Sequence, residues 1–160
     1  MTIPMTHIYV DADACPVKQE VCKVAKRYGI EVTFVANSPM RIGREDGHRM
    51  VVVDGSRKLD AADDWIAEHV AEGDIVVGAD IPLAARCLAK GAVALDLRGG
   101  AFTEEGIGHA LAGRELMAHL RAMDAVTGGP PPFAPRDRSR FLQRLDETIH
   151  AVRKKKPRET

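Results

Sequence analysis

The residues most capable of chemistry are aspartates that follow predicted strands. Asp11 and Asp13 come directly after the apolar run His7–Val10, and Asp80 follows the run Ile75–Gly78. Asp63 lies in the first turn of the helix predicted over Asp60–Ala71. Because the carboxyl ends of parallel strands meet at one edge of a sheet, we expect these carboxylates to converge there.

A divalent cation is the partner that such a cluster predicts. Carboxylates crowded together repel and desolvate one another unless a cation or a shared proton offsets their charge. Hard oxygen ligands favour Mg²⁺ or Mn²⁺, and these ions suit the hydrolysis of phosphodiesters. We therefore predict a magnesium or manganese site with catalytic function, formed by Asp11, Asp13, Asp63 and Asp80.

Several of these acids also have an ordinary structural explanation. Asp60 is a good helix N-cap, and acidic residues such as Asp63 and Asp64 are favoured in a first helical turn by the helix dipole. Asp80 precedes Ile81-Pro82 and could simply begin a helix.

The position of the remaining acids relative to the predicted strands separates turn residues from functional candidates. Asp54 and Asp96 are typical of turns, and we favour that explanation for both. A charged pair such as Asp11 and Asp13, placed directly after a buried strand, has a desolvation cost that favours a functional role.

Basic residues near the predicted acidic edge could hold a polyanion. The net charge is zero, but residues 1–100 carry 12 basic and 15 acidic side chains, whereas residues 136–158 carry nine basic and three acidic ones. Phosphate neutralisation dominates nucleic-acid affinity, so this asymmetry is compatible with a nucleic-acid partner. The candidate phosphate-binding residues are Lys18, Arg136, Arg138 and Arg140; a carboxylate partner for Lys18 and a solvated helix face for the arginines are the alternatives.

The cysteine content argues against disulfides and zinc. Cys15, Cys22 and Cys87 are odd in number and form no CxxC pair. Cys15 lies at a predicted helix N-terminus, where a thiolate is favoured, but the sequence shows no partnered base for a nucleophile. We expect Cys22 and Cys87 to be small core residues.

The alternation of predicted strands and helices indicates an α/β fold. Strands are predicted at His7–Val10, Glu31–Ala36, Met50–Val53, Ile75–Gly78 and Ala92–Leu95. Pro16 is expected at the first position of the first helix. These strands are apolar on both faces, as in a sheet covered on both sides. We predict a three-layer sandwich with a central, mostly parallel sheet of about five strands, followed by C-terminal helices at Thr103–Leu111, Arg114–Met123 and Asp137–Val152.

A length of 160 residues fits one domain. We place it at residues 1–153, with a helical part at 103–153 and a basic tail at 154–160. No apolar run is long enough to span a membrane, and the N-terminus does not have the pattern of a secretory signal. We therefore expect no membrane partner and a cytoplasmic location.

Three blocks, in this order, resemble the YaiI/YqxD family of uncharacterised bacterial proteins over roughly residues 7–146. They are IYVDADACPVKQEV, LDAADDWIAEHVAEGDIVVGADIPLAARCLAKGA and GGPPPFAPRDRSRFLQRLD. The family is grouped with PIN-like folds, which include many metal-dependent ribonucleases. The resemblance implies a PIN-like fold more firmly than an activity, since fold alone does not establish function.

The resemblance also implies which acids would be functional. Asp11 matches the acid that ends strand one, Asp63 the acid on a following helix, and Asp80 the acid ahead of a leucine-alanine pair, here Leu83-Ala84. Asp13 belongs to the family's own DADACP block, and Asp96 is a weak match to a last acid after strand five.

We favour a Mg²⁺- or Mn²⁺-dependent nuclease acting on RNA and keep three alternatives. A protein of the same fold could bind nucleic acid or metal without hydrolysis. The D-x-D signature after strand one also occurs in haloacid-dehalogenase-like phosphatases, although Gly73-Asp74 precedes a strand where that class needs an acidic pair after one. A receiver-like phosphorylation switch would require Ser or Thr after strand four and Lys after strand five, where Ala79-Asp80 and Leu97-Arg98 stand.

Overall fold

The computed structural model describes residues 6–13, 15–37, 48–53, 61–109, 112–113 and 132–155. Five strands and three helices lie within the first hundred residues, and a long helix ends the described chain. The elements are β1 (His7–Asp11), α1 (Lys18–Tyr28), β2 (Glu31–Ala36), β3 (His48–Val52), α2 (Ala61–His69), β4 (Ile75–Val77), α3 (Ile81–Ala89), β5 (Val93–Leu95), α4 (described over 104–109) and α5 (Pro135–Lys155).

The five strands form one sheet in the order β3-β2-β1-β4-β5, and every pairing is parallel. Helices cover both faces, which confirms the predicted α/β sandwich. The strand order reverses between β1 and β4, and open α/β sheets bind their ligands in the crevice at such a switch point. This order differs from the 2-1-3-4-5 order of receiver-like folds, so the topology argues against the phosphorylation switch.

Helices α1 and α5 cover one face of the sheet. Alternate residues of β1, beginning with Ile8 and Val10, point toward this layer, as the two-residue period of a strand requires. Val21 and Val24 of α1 and Phe141 of α5 bury their side chains in the same cluster. Burial of a side chain of this size stabilises the fold by about 1.5–3 kcal/mol.

Helices α2 and α3 cover the opposite face. Tyr9 of β1 packs there with Ile66 of α2 and with Leu83 and Cys87 of α3. The next residue of β1 on this face is Asp11, two positions after Tyr9. The alternation that buries the core therefore directs Asp11 to the side covered by α2 and α3, at the end of its strand.

Two predicted boundaries differ from the structure. Helix α1 begins at Lys18 rather than at Pro16, which lies in the preceding turn. Helix α5 starts at Pro135 and continues to Lys155, two residues into the predicted tail. Outside the described residues lie Asp54, Asp60, the predicted helix Arg114–Met123 and the last five residues of the tail.

No helix in the described part of the chain is long and apolar enough to cross a membrane.

Candidate acidic site at the switch point

Three of the four predicted catalytic aspartates influence one another at the crevice between β1 and β4. Asp11 ends β1, Asp13 lies in the turn that follows, and Asp80 comes after β4. The negative charges of Asp13 and Asp80 both act on the Asp11 carboxyl. We call Asp11, Asp13 and Asp80 the switch-point site.

Asp11 is the least stabilised carboxylate of this site. Burial comes first among the causes that raise its pKa to about 6, followed by the charges of Asp13 and Asp80. Among the described residues, its carboxylate has neither a hydrogen-bond donor nor an ion-pair partner. Gly78 directly follows β4 and lies close by: a Cβ on that glycine would lie 3.2 Å from the Cβ of Asp11. The absent side chain of Gly78 therefore leaves room for Asp11 between the two strands.

Asp13 is tied to the neighbouring strand. Its Oδ2 accepts a hydrogen bond of 2.9 Å from the backbone N–H of Asn37, which follows β2. The N–H of Ala12 donates to the Val35 carbonyl at 2.8 Å, which continues the pairing of β1 with β2 by one residue. The turn that carries Asp13 is thus fixed on the β2 side.

Asp80 has a structural role as well as its place in the site. It is the N-cap of α3, and its Oδ1 accepts a hydrogen bond of 2.7 Å from the Leu83 N–H. An aspartate N-cap is typically worth about 1 kcal/mol of helix stability. The helix-initiating explanation is therefore correct for Asp80, and it leaves open a second role for the other carboxylate oxygen.

Asp63 has other charged neighbours than the three residues of the switch-point site. It is half-buried in the first turn of α2, and its charge acts on Arg86 and Cys87 of α3. The causes that shift the pKa of Asp11 are burial, Asp13 and Asp80. A role for Asp63 in metal binding stays a prediction that this placement does not favour.

Two of the four predicted phosphate-binding residues donate hydrogen bonds to backbone carbonyls in this structure, and their phosphate-binding role stays a prediction. The Nζ of Lys18 donates to the Cys15 carbonyl at 2.6 Å, and Nη1 of Arg138 donates to the Pro16 carbonyl. Both carbonyls belong to the turn between β1 and α1. Arg136 and Arg140 are exposed on the first turns of α5, where they could meet an external anion.

Cys15 is a buried thiol rather than an activated one. Burial raises its pKa and outweighs the opposing effects of the Val17 N–H and the Lys18 ammonium. The placement at the start of a helix, which favoured a thiolate in the sequence, therefore does not produce one.

Asn37 was not predicted from the sequence. Its N–H donates to Asp13, and its own Oδ1 is buried with no hydrogen-bond partner among the described residues, so a polar oxygen lies next to the acidic turn. The signal was available, because Asn37 is the first polar residue after β2, at the edge where ligands bind. Asp96 forms a turn, as expected: its Oδ1 accepts from the N–H groups of Arg98 and Gly100, each at 2.8 Å.

The donors of the switch-point site fit a hard divalent cation by their chemistry. Carboxylate oxygens are the ligands that Mg²⁺ and Mn²⁺ prefer, and waters commonly complete the coordination of these ions. In the part of the chain that the structure describes, no three His, Cys, Asp or Glu side chains already stand close enough together to hold a metal. Binding of an ion would therefore require the three carboxylates to turn toward one another.

Comparison with known proteins shows extensive similarity to one bacterial family. The chain is 55% identical over 148 residues to a UPF0178 protein of Rhodospirillum rubrum, covering 92% of this chain and 97% of the relative. It is 52% identical over 158 residues to a UPF0178 protein of Rhodopseudomonas palustris strain CGA009, covering 98% of each. A UPF0178 protein of Agrobacterium fabrum is 54% identical over 147 residues, covering 92% and 95%. No solved structure matches the chain.

The family assignment follows from these matches and from a family model. The model described as "Uncharacterized BCR, YaiI/YqxD family" matches residues 9–151, which include the whole switch-point site. The chain therefore belongs to the YaiI/YqxD family.

Proposed function

We propose that this protein is a Mg²⁺- or Mn²⁺-dependent nuclease that hydrolyses phosphodiesters at the switch-point site, with RNA as the favoured substrate. The observation that carries the proposal is the state of Asp11. Its carboxyl is partly buried, crowded by two further carboxylates, and has no donor among the described residues. Such an arrangement costs folding free energy unless a cation offsets it.

Asp11, Asp13 and Asp80 would hold the ion. A bound Mg²⁺ or Mn²⁺ supplies the Lewis acidity and the charge neutralisation that phosphodiester hydrolysis needs. Asp11 would contribute both of its oxygens, because neither takes part in a hydrogen bond within the described chain. Asp13 and Asp80 each have one oxygen engaged by a backbone N–H, and the second oxygen of each would be the one offered to the ion once the carboxylates turn toward it.

The choice of nucleic acid as the substrate class rests on charge. An acidic edge repels a polyanion, so a nuclease needs cations nearby to hold the phosphate backbone. Arg136 and Arg140 lie on the first turns of α5, the same turns from which Arg138 reaches the loop that carries Asp13. We assign phosphate binding to Arg136 and Arg140.

Hydrolysis of labelled nucleic acids tests the proposal. The purified chain would be incubated with single-stranded, double-stranded and hairpin RNA and DNA, each with Mn²⁺, with Mg²⁺ and with a chelator. We expect cleavage of RNA that needs the metal and is lost in Asp11→Asn. Asp96→Asn is the matched control, because Asp96 is also a strand-end aspartate but serves a turn.

The same experiment separates the alternatives. Binding of Mn²⁺ and RNA without cleavage would favour a non-catalytic protein of the same fold. Release of phosphate from an aryl phosphate, abolished in Asp11→Asn, would favour the phosphatase. If no nucleic acid is cleaved under any of these conditions, the nuclease proposal is wrong.

A further inference from the structure

The N-terminal turns of α5 lie against the turn that joins β1 to α1. One side chain makes the connection: Nη1 of Arg138 donates to the Pro16 carbonyl, 122 residues earlier in the chain, and lies 3.1 Å from Oε1 of Glu20. The Arg138 guanidinium thus bridges α5 to both the turn and the first helix.

The guanidinium is itself held in place. It lies 5.1 Å from the centroid of the Phe133 ring, which Arg98 faces at 5.6 Å. Arg98 also lies 3.5 Å from Oδ2 of Asp137, a buried carboxylate that accepts a hydrogen bond of 2.8 Å from the Ala134 N–H. Because several contacts surround it, the Arg138 guanidinium has a defined position and can hold the residues that it binds.

The turn that Arg138 binds is the one that carries the site. On the α1 side, Lys18 donates to the Cys15 carbonyl and Arg138 to the Pro16 carbonyl. On the β2 side, Asp13 accepts the hydrogen bond from the Asn37 N–H. The turn is therefore held at both of its ends, and one of these contacts comes from α5 through Arg138.

We infer that Arg138 is a positioning residue: by binding the Pro16 carbonyl it holds the turn so that Asp13 keeps its contact with Asn37. The consequence for metal binding rests on the proposed function, whereas the effect on the turn does not. All three arginines are exposed on the same helix, and Arg138 differs from Arg136 and Arg140 by its hydrogen bond to the Pro16 carbonyl.

Amide hydrogen exchange of the full chain tests the inference directly. The Asn37 amide reports the contact with Asp13, and the Phe34 amide, in the buried part of β2, reports opening of the sheet. In Arg138→Ala we expect Asn37 to exchange at least about tenfold faster relative to Phe34, because the turn opens locally. In Arg140→Ala, the matched control, the ratio should stay within about twofold of the parent value.

Arg138→Ala could fold poorly, since Glu20 would lose its ion-pair partner. A second variant keeps the test decisive in that case. Arg138→Lys keeps the charge, but one ammonium cannot reproduce the planar fork of a guanidinium, so we expect an intermediate ratio. Equal acceleration of Asn37 and Phe34 in these variants would show that Arg138 only stabilises the fold, and would overturn the inference. An unchanged ratio would overturn it as well.

A titration with Mn²⁺ alone separates this inference from the proposed function. If the parent chain binds Mn²⁺, Arg138→Ala should weaken binding about tenfold, as loss of a supporting contact does at metal sites. An unchanged affinity would overturn the positioning role. If the parent chain binds no Mn²⁺, the proposed function fails, and the Asn37 exchange ratio still decides whether Arg138 positions the turn.

Discussion

Two carboxylates at opposite ends of β1 have opposite surroundings. Asp74 precedes β4 at the amino end of the sheet and is only 6% exposed. Its Oδ1 accepts a hydrogen bond of 3.1 Å from the His7 N–H, and its Oδ2 accepts one of 2.9 Å from the Ala71 N–H. Asp11, at the carboxyl end, has two carboxylates as neighbours and no such donor among the described residues.

The difference separates a carboxylate that stabilises the fold from one that the proposed function assigns to binding. A buried carboxylate whose oxygens accept backbone N–H groups joins elements together, as Asp74 joins the start of β1 to the turn before β4. A crowded carboxylate without donors contributes nothing comparable to the fold. Under the proposed function, a cation bound by the folded chain would account for its presence at a switch point, where ligands bind.

The largest effect is expected on hydrolysis. Asp11→Asn should lower the metal-dependent rate at least about a hundredfold, because it removes a ligand, and even supporting residues at metal sites are worth 10–100-fold. Asp74→Asn should retain the parent rate at a temperature where it is folded. Initial rates of RNA cleavage with Mn²⁺ measure both, and equal losses in the two variants would contradict the distinction.

The next largest effect is expected on the free energy of unfolding of Asp74→Asn. Asp74→Asn places an amide NH₂ against a backbone N–H, so we expect the free energy of unfolding to fall by about 2–3 kcal/mol. Urea unfolding at pH 7 measures the change. Glu147→Gln is the control, since Glu147 is an exposed carboxylate on α5, and its variant should unfold close to the parent midpoint.

At Asp11 the substitution by asparagine should stabilise the fold, in contrast to Asp74→Asn. The pKa of this carboxyl is about 6 in the folded chain and about 4 when unfolded, so the folded state binds more protons between these values and stability falls as the pH rises through them. Asp11→Asn removes this penalty and should raise the free energy of unfolding by about 1–2 kcal/mol at pH 7.

The pH dependence provides the check. Urea unfolding of the parent and of Asp11→Asn without metal should give a difference that grows from pH 4 to pH 6 and is constant above. A variant that is less stable than the parent at pH 7 would mean that Asp11 supports the fold, as Asp74 does.

The smallest effect is expected at Asp63. Its charge acts on Arg86 and Cys87 rather than on Asp11, so Asp63→Asn should change the Kd for Mn²⁺ by less than about twofold. Asp80→Asn should weaken binding by about tenfold or more. Calorimetric titration compares them, and a loss in Asp63→Asn that equals the loss in Asp80→Asn would restore Asp63 to the metal site.

The sequence predicts the layers of the fold well because burial imposes local patterns. Apolar runs on both faces of the strands and the helical spacing of Val21 and Val24 are visible in the chain itself. The strand order is not visible locally, since it depends on which neighbours each strand finds after the chain has folded. The sequence predicts that Asp11 and Asp80 lie at the same edge of the sheet. Only the strand order shows that their strands are neighbours and that the two residues flank one crevice.

The candidate site was predicted in part for the same reason. Strand ends fix Asp11 and Asp80, so position along the chain was sufficient to select them. The direction in which α2 presents Asp63 depends on how that helix packs, and the contact of Arg138 with Pro16 spans 122 residues. Contacts of this kind arise from tertiary packing, which no short sequence pattern encodes.

A calorimetric titration with Mn²⁺ at pH 7 tests the central claim most directly. We predict that the parent chain and Asp74→Asn bind the ion and that Asp11→Asn does not. Absence of binding to the parent chain, or equal binding by Asp11→Asn, would contradict a cation site at the switch point.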